Sequence, residues 1–210
     1  MKMKFALIAA AAALSFSAHA QTGFYAGGEL GAASLKDQTG DTARALVNQV
    51  GGSANVTQSS ATGFGRIFGA YQINSLVAAE VGYLYASGAS MSVAGRSGGG
   101  TAYTANADLT ISGLDASAII TPFEQGALKN LFFRAGLTSY TTKTEVTAAT
   151  NVTFTSTSVT NSGTGTMLGV GYDLPAGPGS VRFQLNTLQN VAGQSENSSV
   201  ALSAGYLVKF

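Results

Sequence analysis

The chain has 210 residues, no cysteine, and a charged fraction of only 10%. This fraction lies well below the roughly 25% that is usual in soluble domains, and the lack of cysteine excludes a disulfide framework and a thiolate metal site. The 11 basic and 10 acidic side chains give no indication of a nucleic-acid partner, which would require a basic patch.

The first twenty residues have the layout of a secretory signal peptide. They contain a basic start, an alanine-rich apolar run and a small-x-small cleavage site, found at Lys2 and Lys4, at 5–16, and at Ala18-His19-Ala20 before Gln21. The apolar run is too short to span a bilayer as a helix. We therefore expect residues 1–20 to be removed, with an uncleaved N-terminal anchor as the alternative. Residues 21–210 are then expected to form one all-β domain.

Alternation of apolar with small or polar residues is the main pattern of the remaining chain. No stretch there holds 18 consecutive apolar residues, so no transmembrane helix is predicted. A strand places neighbouring side chains on opposite faces, and alternation therefore predicts strands whose two faces meet different surroundings. Eight strands are predicted, near 23–34, 62–73, 76–87, 105–121, 130–143, 164–174, 181–191 and 200–210.

The connections between these strands alternate in length. Short ones are predicted at 74–75, 122–130 and 175–180, and long ones, rich in Gly, Ser, Thr and Asn, at 36–60, 88–104, 144–162 and 189–198. Outer-membrane barrels show this asymmetry, with short periplasmic turns and longer external loops. The threonine-dense stretch 138–166 is either a disordered polar loop or a stiff hairpin above the membrane, and threonine favours the hairpin.

Every predicted strand carries a charged side chain on the face opposite its apolar row. A sheet can span a membrane only if it closes, because each backbone group needs a partner. A charge facing lipid near the midplane would cost about 2–4 kcal/mol, so we expect these charges in the lumen, paired in a salt-bridge network. The members are Glu29, Arg66, Glu80, Asp115 and Arg134 well inside, and Asp173, Arg182 and Lys209 near the periplasmic rim. The alternative is a soluble barrel or sandwich with the charged face in water.

Four stretches carry a resemblance to a known family: Gly23–Gly27, Gly69–Asn74 leading into Glu80–Tyr83, Phe133–Gly136, and Gly205–Phe210. In their order and spacing, residues 21–210 resemble the OmpA-type outer-membrane barrel family, including its short members that lack a periplasmic domain. The resemblance implies an antiparallel, up-and-down, eight-stranded transmembrane β-barrel that is integral to the bacterial outer membrane. It also implies a monomer surrounded by outer-membrane lipid.

The resemblance further implies an assembly signal at the C-terminus. In that family the terminal aromatic is read by the barrel-assembly machinery, and Phe210 matches it, with Tyr206 and Val208 in phase. Because the chain ends at the eighth predicted strand, we expect no peptidoglycan-binding module and no anchoring role that depends on one.

The sequence offers little that could support catalysis. His19, the only histidine, lies in the predicted signal peptide, whereas the barrel enzymes of the outer membrane (lipid A deacylases, omptin-type proteases and phospholipases) rely on a histidine base. A serine needs such a base to become nucleophilic near neutral pH, and histidine is also the commonest metal ligand. Glu80 or Asp115 could be catalytic, but paired carboxylates beside arginines favour a structural role. We therefore expect no enzyme activity, no metal and no cofactor.

Three functions remain as hypotheses. The first is a non-enzymatic barrel that contributes to envelope structure and presents surface loops. The second is a narrow, porin-like channel, although eight strands leave little room inside. The third is an adhesin that binds an extracellular ligand through the 36–60 and 138–166 segments, since an exposed strand edge can pair with a partner.

Overall fold

The computed structural model describes residues 23–34, 52–59, 61–97, 99–150, 154–190 and 198–210. No helix in these ranges is long and apolar enough to cross a membrane. The predicted signal peptide, its cleavage site, most of the 36–60 segment and residues 191–197 lie outside the described residues. The nine strands of the described ranges are β1 (Phe24–Ser34), β2 (Gly52–Gln58), β3 (Ala61–Gln72), β4 (Val77–Ser97), β5 (Ala102–Ile120), β6 (Leu131–Thr150), β7 (Phe154–Ala176), β8 (Gly179–Gln189) and β9 (Ser198–Lys209).

Eight of these strands close into one antiparallel barrel, which confirms the predicted fold. Their order is β4-β3-β1-β9-β8-β7-β6-β5, and pairing of β4 with β5 completes the ring. The first and last strands are neighbours, with Tyr25 opposite Lys209. The ninth strand, β2, pairs only with the end of β4 between Met91 and Ser97 and is not part of the ring.

The short connections lie together at one end of the barrel, as predicted. In the first, the Asn74 side-chain oxygen accepts hydrogen bonds from the backbone N–H groups of Leu76 and Val77, at 2.9 and 2.8 Å. Asparagine is well suited to such a turn because its side chain can bond to the backbone. The third turn contains Gly177 at φ 60°, where glycine avoids the strain of a side chain. We place this end, which also holds both ends of the barrel domain, on the periplasmic side.

The opposite end differs from the prediction for residues 88–104. They were expected to form a long loop, but β4 continues to Ser97 and β5 begins at Ala102. The register shifts between Ser87 and Ala89, around Gly88 at φ 106°. This bulge moves the inward face from even to odd positions, from Ala86 to Ala89 and Met91, and so interrupts the alternation on which the sequence prediction depended.

The hairpin predicted for 138–166 is present. The strand β6 runs to Thr150, β7 begins at Phe154, and the two stay paired from Leu131↔Tyr172 to Ala149↔Phe154. The upper parts of β4, β5, β6 and β7, together with β2, therefore form a five-stranded sheet beyond the barrel. We call it the external sheet.

The outer surface of the barrel is apolar, and this contradicts the soluble alternative. Side chains such as Leu30, Ile67 and Leu137 are 74, 68 and 66% exposed, while the charged residues point inward. Towards the external sheet the outward positions change to hydroxyl residues on seven barrel strands, at Ser34, Ser87, Ser112, Ser139, Thr166, Thr187 and Ser198. Near the short turns, aromatic residues are grouped, as in the contact of Phe24 with Tyr71 at 4.9 Å between ring centroids. An apolar band between aromatic and hydroxyl borders is the surface that a bilayer requires.

Candidate functional site

Seven of the eight predicted charges meet inside the barrel. We call them the lumen cluster: Glu29, Arg66, Glu80, Asp115, Arg134, Asp173 and Arg182. All except Asp173 are buried, with between 1 and 6% of each residue exposed. They meet because the alternation of each strand turns its charged face to the same interior.

Arg66 on β3 lies at the centre of the lumen cluster. Its Nε and Nη2 donate to the two carboxylate oxygens of Asp115, both at 2.7 Å. Its Nη2 also donates to Glu80 at 2.8 Å, and its Nη1 to Glu29 at 3.2 Å. One guanidinium therefore bridges β1, β4 and β5, because its donors leave in several fixed directions.

The other two arginines extend the network around the ring. Arg134 on β6 lies 2.7 Å from Asp115 and 3.3 Å from Glu80. Arg182 on β8 holds Asp173 through two hydrogen bonds of 2.8 Å and reaches Glu80 at 2.8 Å. Each carboxylate thus has a cation, as charges taken out of water require.

Neutral side chains that the sequence analysis did not single out complete the cluster. Gln184 and Ser203 donate to Glu29, and the Ser117 hydroxyl accepts from Nε of Arg134 at 3.0 Å. The Tyr25 hydroxyl donates to Glu80 at 3.4 Å. All four lie on the same inward face of their strands as the predicted charges. The alternation of inward and outward positions is therefore the sequence signal that identifies them.

Arg182 also closes the lumen towards the periplasm. Its guanidinium carbon lies 4.4, 5.4 and 5.6 Å from the ring centroids of Phe132, Phe68 and Tyr25, within range of cation–π attraction. These rings pack with Ala70, Ala78, Ile119 and Leu207 as one buried apolar layer. The lumen cluster therefore rests on a packed hydrophobic plug.

Gly82 provides the space that Arg66 occupies. A Cβ atom at this position would lie 2.5, 2.6 and 2.7 Å from Nη2, Nε and Cζ of Arg66. Real Cβ atoms do not approach other atoms so closely, so the guanidinium would have to move away from its carboxylates. Arg66 and Gly82 therefore depend on each other.

Lys209 is not part of the lumen cluster, contrary to the prediction. Its position opposite the buried Tyr25 aims it towards the interior at the periplasmic rim, but the side chain is exposed and has no ion pair with any described residue. Asp173 and Arg182 line the funnel at the periplasmic mouth, and the ion pair of Arg182 with Glu80 also joins them to the inner charges. Lys209 lines the same funnel, which has a volume of about 570 Å³, and there water solvates its ammonium group.

The lumen cluster links the barrel strands to one another through ion pairs. Its four carboxylates and three guanidinium groups leave one negative charge, and its donors are directed at one another. Across the described ranges, no group of three or more His, Cys, Asp or Glu side chains could hold a metal ion. On the external side of the cluster lies a second cavity of about 60 Å³, which the apolar plug and the cluster separate from the periplasmic funnel.

Comparisons with known proteins agree with this architecture. The family described as "Outer membrane protein beta-barrel domain" matches residues 4–206. Ail, the attachment invasion locus protein of Yersinia pestis, is 9% identical, with a TM-score of 0.51 over 89% of this chain and 98% of that chain. Neisserial surface protein A is 18% identical, with a TM-score of 0.43 over 90% of this chain and 100% of that chain. The N-terminal β-barrel domain of Pseudomonas aeruginosa OprF is 12% identical, with a TM-score of 0.37 over 89% of this chain and 98% of that chain.

The comparison with curated proteins gives no match. At 9% identity, the likeness to Ail concerns the fold alone. The family match covers nearly the whole chain and agrees with the closed antiparallel ring, the inward charges and the apolar outer face. The chain therefore belongs to the outer membrane protein β-barrel family, as an integral protein of the bacterial outer membrane.

Proposed function

We propose that this protein is a non-enzymatic barrel with a closed lumen, which contributes to envelope structure and presents the external sheet at the cell surface. The observation that carries the proposal is the lumen cluster. Arg66, Arg134 and Arg182 fill the interior and ion-pair with carboxylates on other strands. A channel would need a continuous polar path, and the apolar plug beneath Arg182 interrupts such a path.

The absence of catalysis in this proposal rests on the same contacts. Glu80 and Asp115, the two carboxylates that could act as acids or bases, each ion-pair with two arginines or more. Carboxylates held in such ion-pair networks more often have a structural role than a catalytic one. The only histidine lies at position 19, within the segment that we propose is removed.

Planar-bilayer recording tests the closed lumen against the narrow-channel alternative. We expect no reproducible conductance steps from the purified protein at high concentration. As a positive control, the double substitution Phe132→Ala and Leu207→Ala should create steps, because both side chains are almost fully buried in the plug. Regular steps from the unmodified protein would support the narrow channel and reject the closed barrel.

The envelope role is tested in cells that lack the protein. We expect them to become more sensitive to detergent and to large antibiotics, and we expect the full-length protein to restore resistance. A shortened form, in which Asn-Gly replaces residues 146–157 and joins the paired positions Glu145 and Ser158, should restore it equally. Two-residue Asn-Gly loops close antiparallel hairpins. Unchanged sensitivity of the deletion strain would reject this role.

Adhesion is the second candidate, and the β7 edge of the external sheet, which pairs with no described residue on its outer side, favours it. From Phe154 to Gly165, β7 pairs with β6 on one side, whereas its pairing with β8 begins at Thr166. This edge contains no charged residue and no proline, the features with which proteins normally protect an edge strand. Phe154 and Val159 are 71 and 49% exposed on it.

An extended segment of a surface protein could add to this edge through backbone hydrogen bonds. The neighbouring Lys143 donates to Glu145, and this hydrogen bond lowers the pKa of the exposed Glu145 carboxyl. The edge itself carries no charged side chain, so it favours an uncharged partner. Selectivity would then come from side chains that alternate along the added strand.

Binding of expressing bacteria to immobilised laminin and fibronectin tests adhesion. Lysine at Phe154 and Val159 should reduce binding, because charged side chains oppose edge pairing. Lysine at Asn106, which is exposed on the interior strand β5, is the matched control and should change nothing. Equal binding by all forms, or by cells without the protein, would reject adhesion through this edge.

Export and assembly complete the proposal. The exported chain would begin at Gln21 and act as a monomer, and the assembly machinery would recognise Tyr206, Val208 and Phe210. Tyr206 is 39% exposed on the lipid face. The Phe210 N–H donates to the Phe24 carbonyl at 2.8 Å, so the C-terminal residues lie beside β1.

Phe210→Ala should lower the amount of the protein in the outer membrane while its refolding in detergent stays unchanged. Equal loss in both assays would indicate a role in stability instead of recognition.

A further inference from the structure

The upper cavity, on the external side of the lumen cluster, is the interior feature that the proposed function does not use. Its volume is about 60 Å³, and apolar side chains form its wall, including Phe64, Leu84, Ile111, Tyr140, Met167 and Leu188. Phe64, Ile111 and Tyr140 belong to one buried cluster, and Leu84 and Leu188 pack against it. A cavity with such a wall holds water poorly and accepts apolar guests.

The floor of the upper cavity is electrically balanced. Glu29 and Asp115 contribute two negative charges, and Arg66 and Arg134 contribute two positive charges. These groups ion-pair with one another. A charged guest would therefore lose its hydration without gaining a free counterion, so the floor favours an uncharged guest.

Two oxygen atoms at the cavity have no hydrogen-bond partner in the described part of the chain. They are Oγ1 of Thr138 and Oδ1 of Asn186, on residues that are 7 and 5% exposed and that line the cavity. A buried acceptor without a donor is unfavourable by about 1–3 kcal/mol. Rotation of Thr138 about χ1 can turn its hydroxyl group towards a guest.

We propose that the upper cavity binds a small uncharged molecule with an apolar body and one hydroxyl group. The apolar wall takes a single aromatic ring or a short alkyl chain, and the hydroxyl donates to Thr138 or Asn186. This inference does not depend on adhesion or on the envelope role. It adds a ligand site to a lumen that is closed on its periplasmic side.

Phenol is the probe, and the methionines provide the readout. The sequence has four methionines, of which Met1 and Met3 lie in the predicted signal peptide. In the exported chain, Met167 lines the upper cavity and Met91 packs in the external sheet against Val93 and Tyr103. Methyl-¹³C methionine labelling of protein in lipid nanodiscs should therefore give two signals, one at the site and one as an internal control.

We expect phenol to shift the Met167 signal with saturation and to leave Met91 unchanged. Phenol should bind roughly 3- to 10-fold more tightly than benzene, the range for one additional hydrogen bond. Thr138→Val with Asn186→Leu should remove this preference. Ala201→Leu, which fills the cavity from a buried wall position, should abolish saturation in protein that still shows heat-modifiable gel mobility.

Three outcomes would overturn the proposal. No shift of Met167, or linear shifts of both methionines that reflect partition of phenol into the bilayer, would show that the cavity is not a site. Equal affinity for benzene and phenol would reject the hydroxyl as a recognised group. If Ala201→Leu fails to fold, Thr138→Val alone, which is close in shape to the original, still tests the hydrogen bond.

Discussion

Replacing Arg66 by methionine removes the centre of the lumen cluster while keeping much of the side-chain volume. Asp115 then keeps Arg134, and Glu80 keeps Arg134 and Arg182. Glu29, by contrast, loses its ion pair and keeps only Gln184 and Ser203. The net charge of the cluster changes from −1 to −2 in an interior where Glu29 is only 4% exposed.

We expect this substitution to lower the free energy of unfolding by about 3–5 kcal/mol, the range for removing one partner from a buried ion pair. Urea unfolding in phospholipid vesicles, followed by the gel mobility of unheated samples, measures the folded fraction. The chain has no tryptophan, so the gel readout avoids adding a fluorescent probe. Lys143→Met, which breaks an ion pair on the exposed hairpin, should have no measurable effect.

A second substitution, Glu29→Gln, tests the reason for the loss. In the double variant with Arg66→Met the cluster charge returns to −1, and the carboxylate that had lost its cation is gone. The double variant should therefore be more stable than Arg66→Met alone. A loss below about 1 kcal/mol for Arg66→Met, or no recovery in the double variant, would show that the pairs are solvated and do not brace the barrel.

Two further substitutions test the space inside the barrel and the lipid face outside it. Gly82→Ala should destabilise the barrel by about 1–3 kcal/mol through crowding of Arg66. Gly69→Ala should be tolerated, because no atom lies within 4 Å of the new Cβ. Equal urea midpoints for the two variants would contradict the crowding argument. Ala116→Arg, on the lipid face between Val81 and its other neighbour Leu137, should cost about 2–4 kcal/mol in vesicles. Asn106→Arg, beyond the hydroxyl border, should cost much less, and equal losses would mean that the apolar band has been placed wrongly.

Much of the barrel could be predicted from sequence because its two faces meet different solvents. Lipid outside and ion pairs inside impose a strict period of two on each strand, as in Val200 to Phe210. The prediction became inaccurate where that constraint is relaxed. Above the hydroxyl border both faces of β4 and β5 can be small or polar, and the bulge at Gly88 changes the phase, so the sequence predicts a loop where the structure has strands.

The sequence predicts which side chains face the lumen but not which of them contact one another. Alternation indicates that Arg66 and Asp115 face inward, but the strand tilt and the stagger of the ring decide which side chains meet. Lys209 is an example of this limit. Alternation places it on the inward face, but it lies at the periplasmic end of the barrel, in the open funnel. Gln184 and Ser203 are neutral donors on the same inward faces, and a prediction based on charge alone does not include them.

Every barrel strand contributes a side chain to the lumen cluster or to a hydrogen bond with it. The contributions come from Glu29, Arg66, Glu80, Asp115, Arg134, Asp173, Arg182 and, on the last strand, Ser203. Sliding any strand by two residues would preserve its apolar face but would move its polar group away from several partners at once. The outer face alone does not distinguish these registers, since lipid contacts Leu202 and Val200 equally well. We infer that the buried charges specify the register of the closed ring, a role that a purely apolar lumen would fill less selectively.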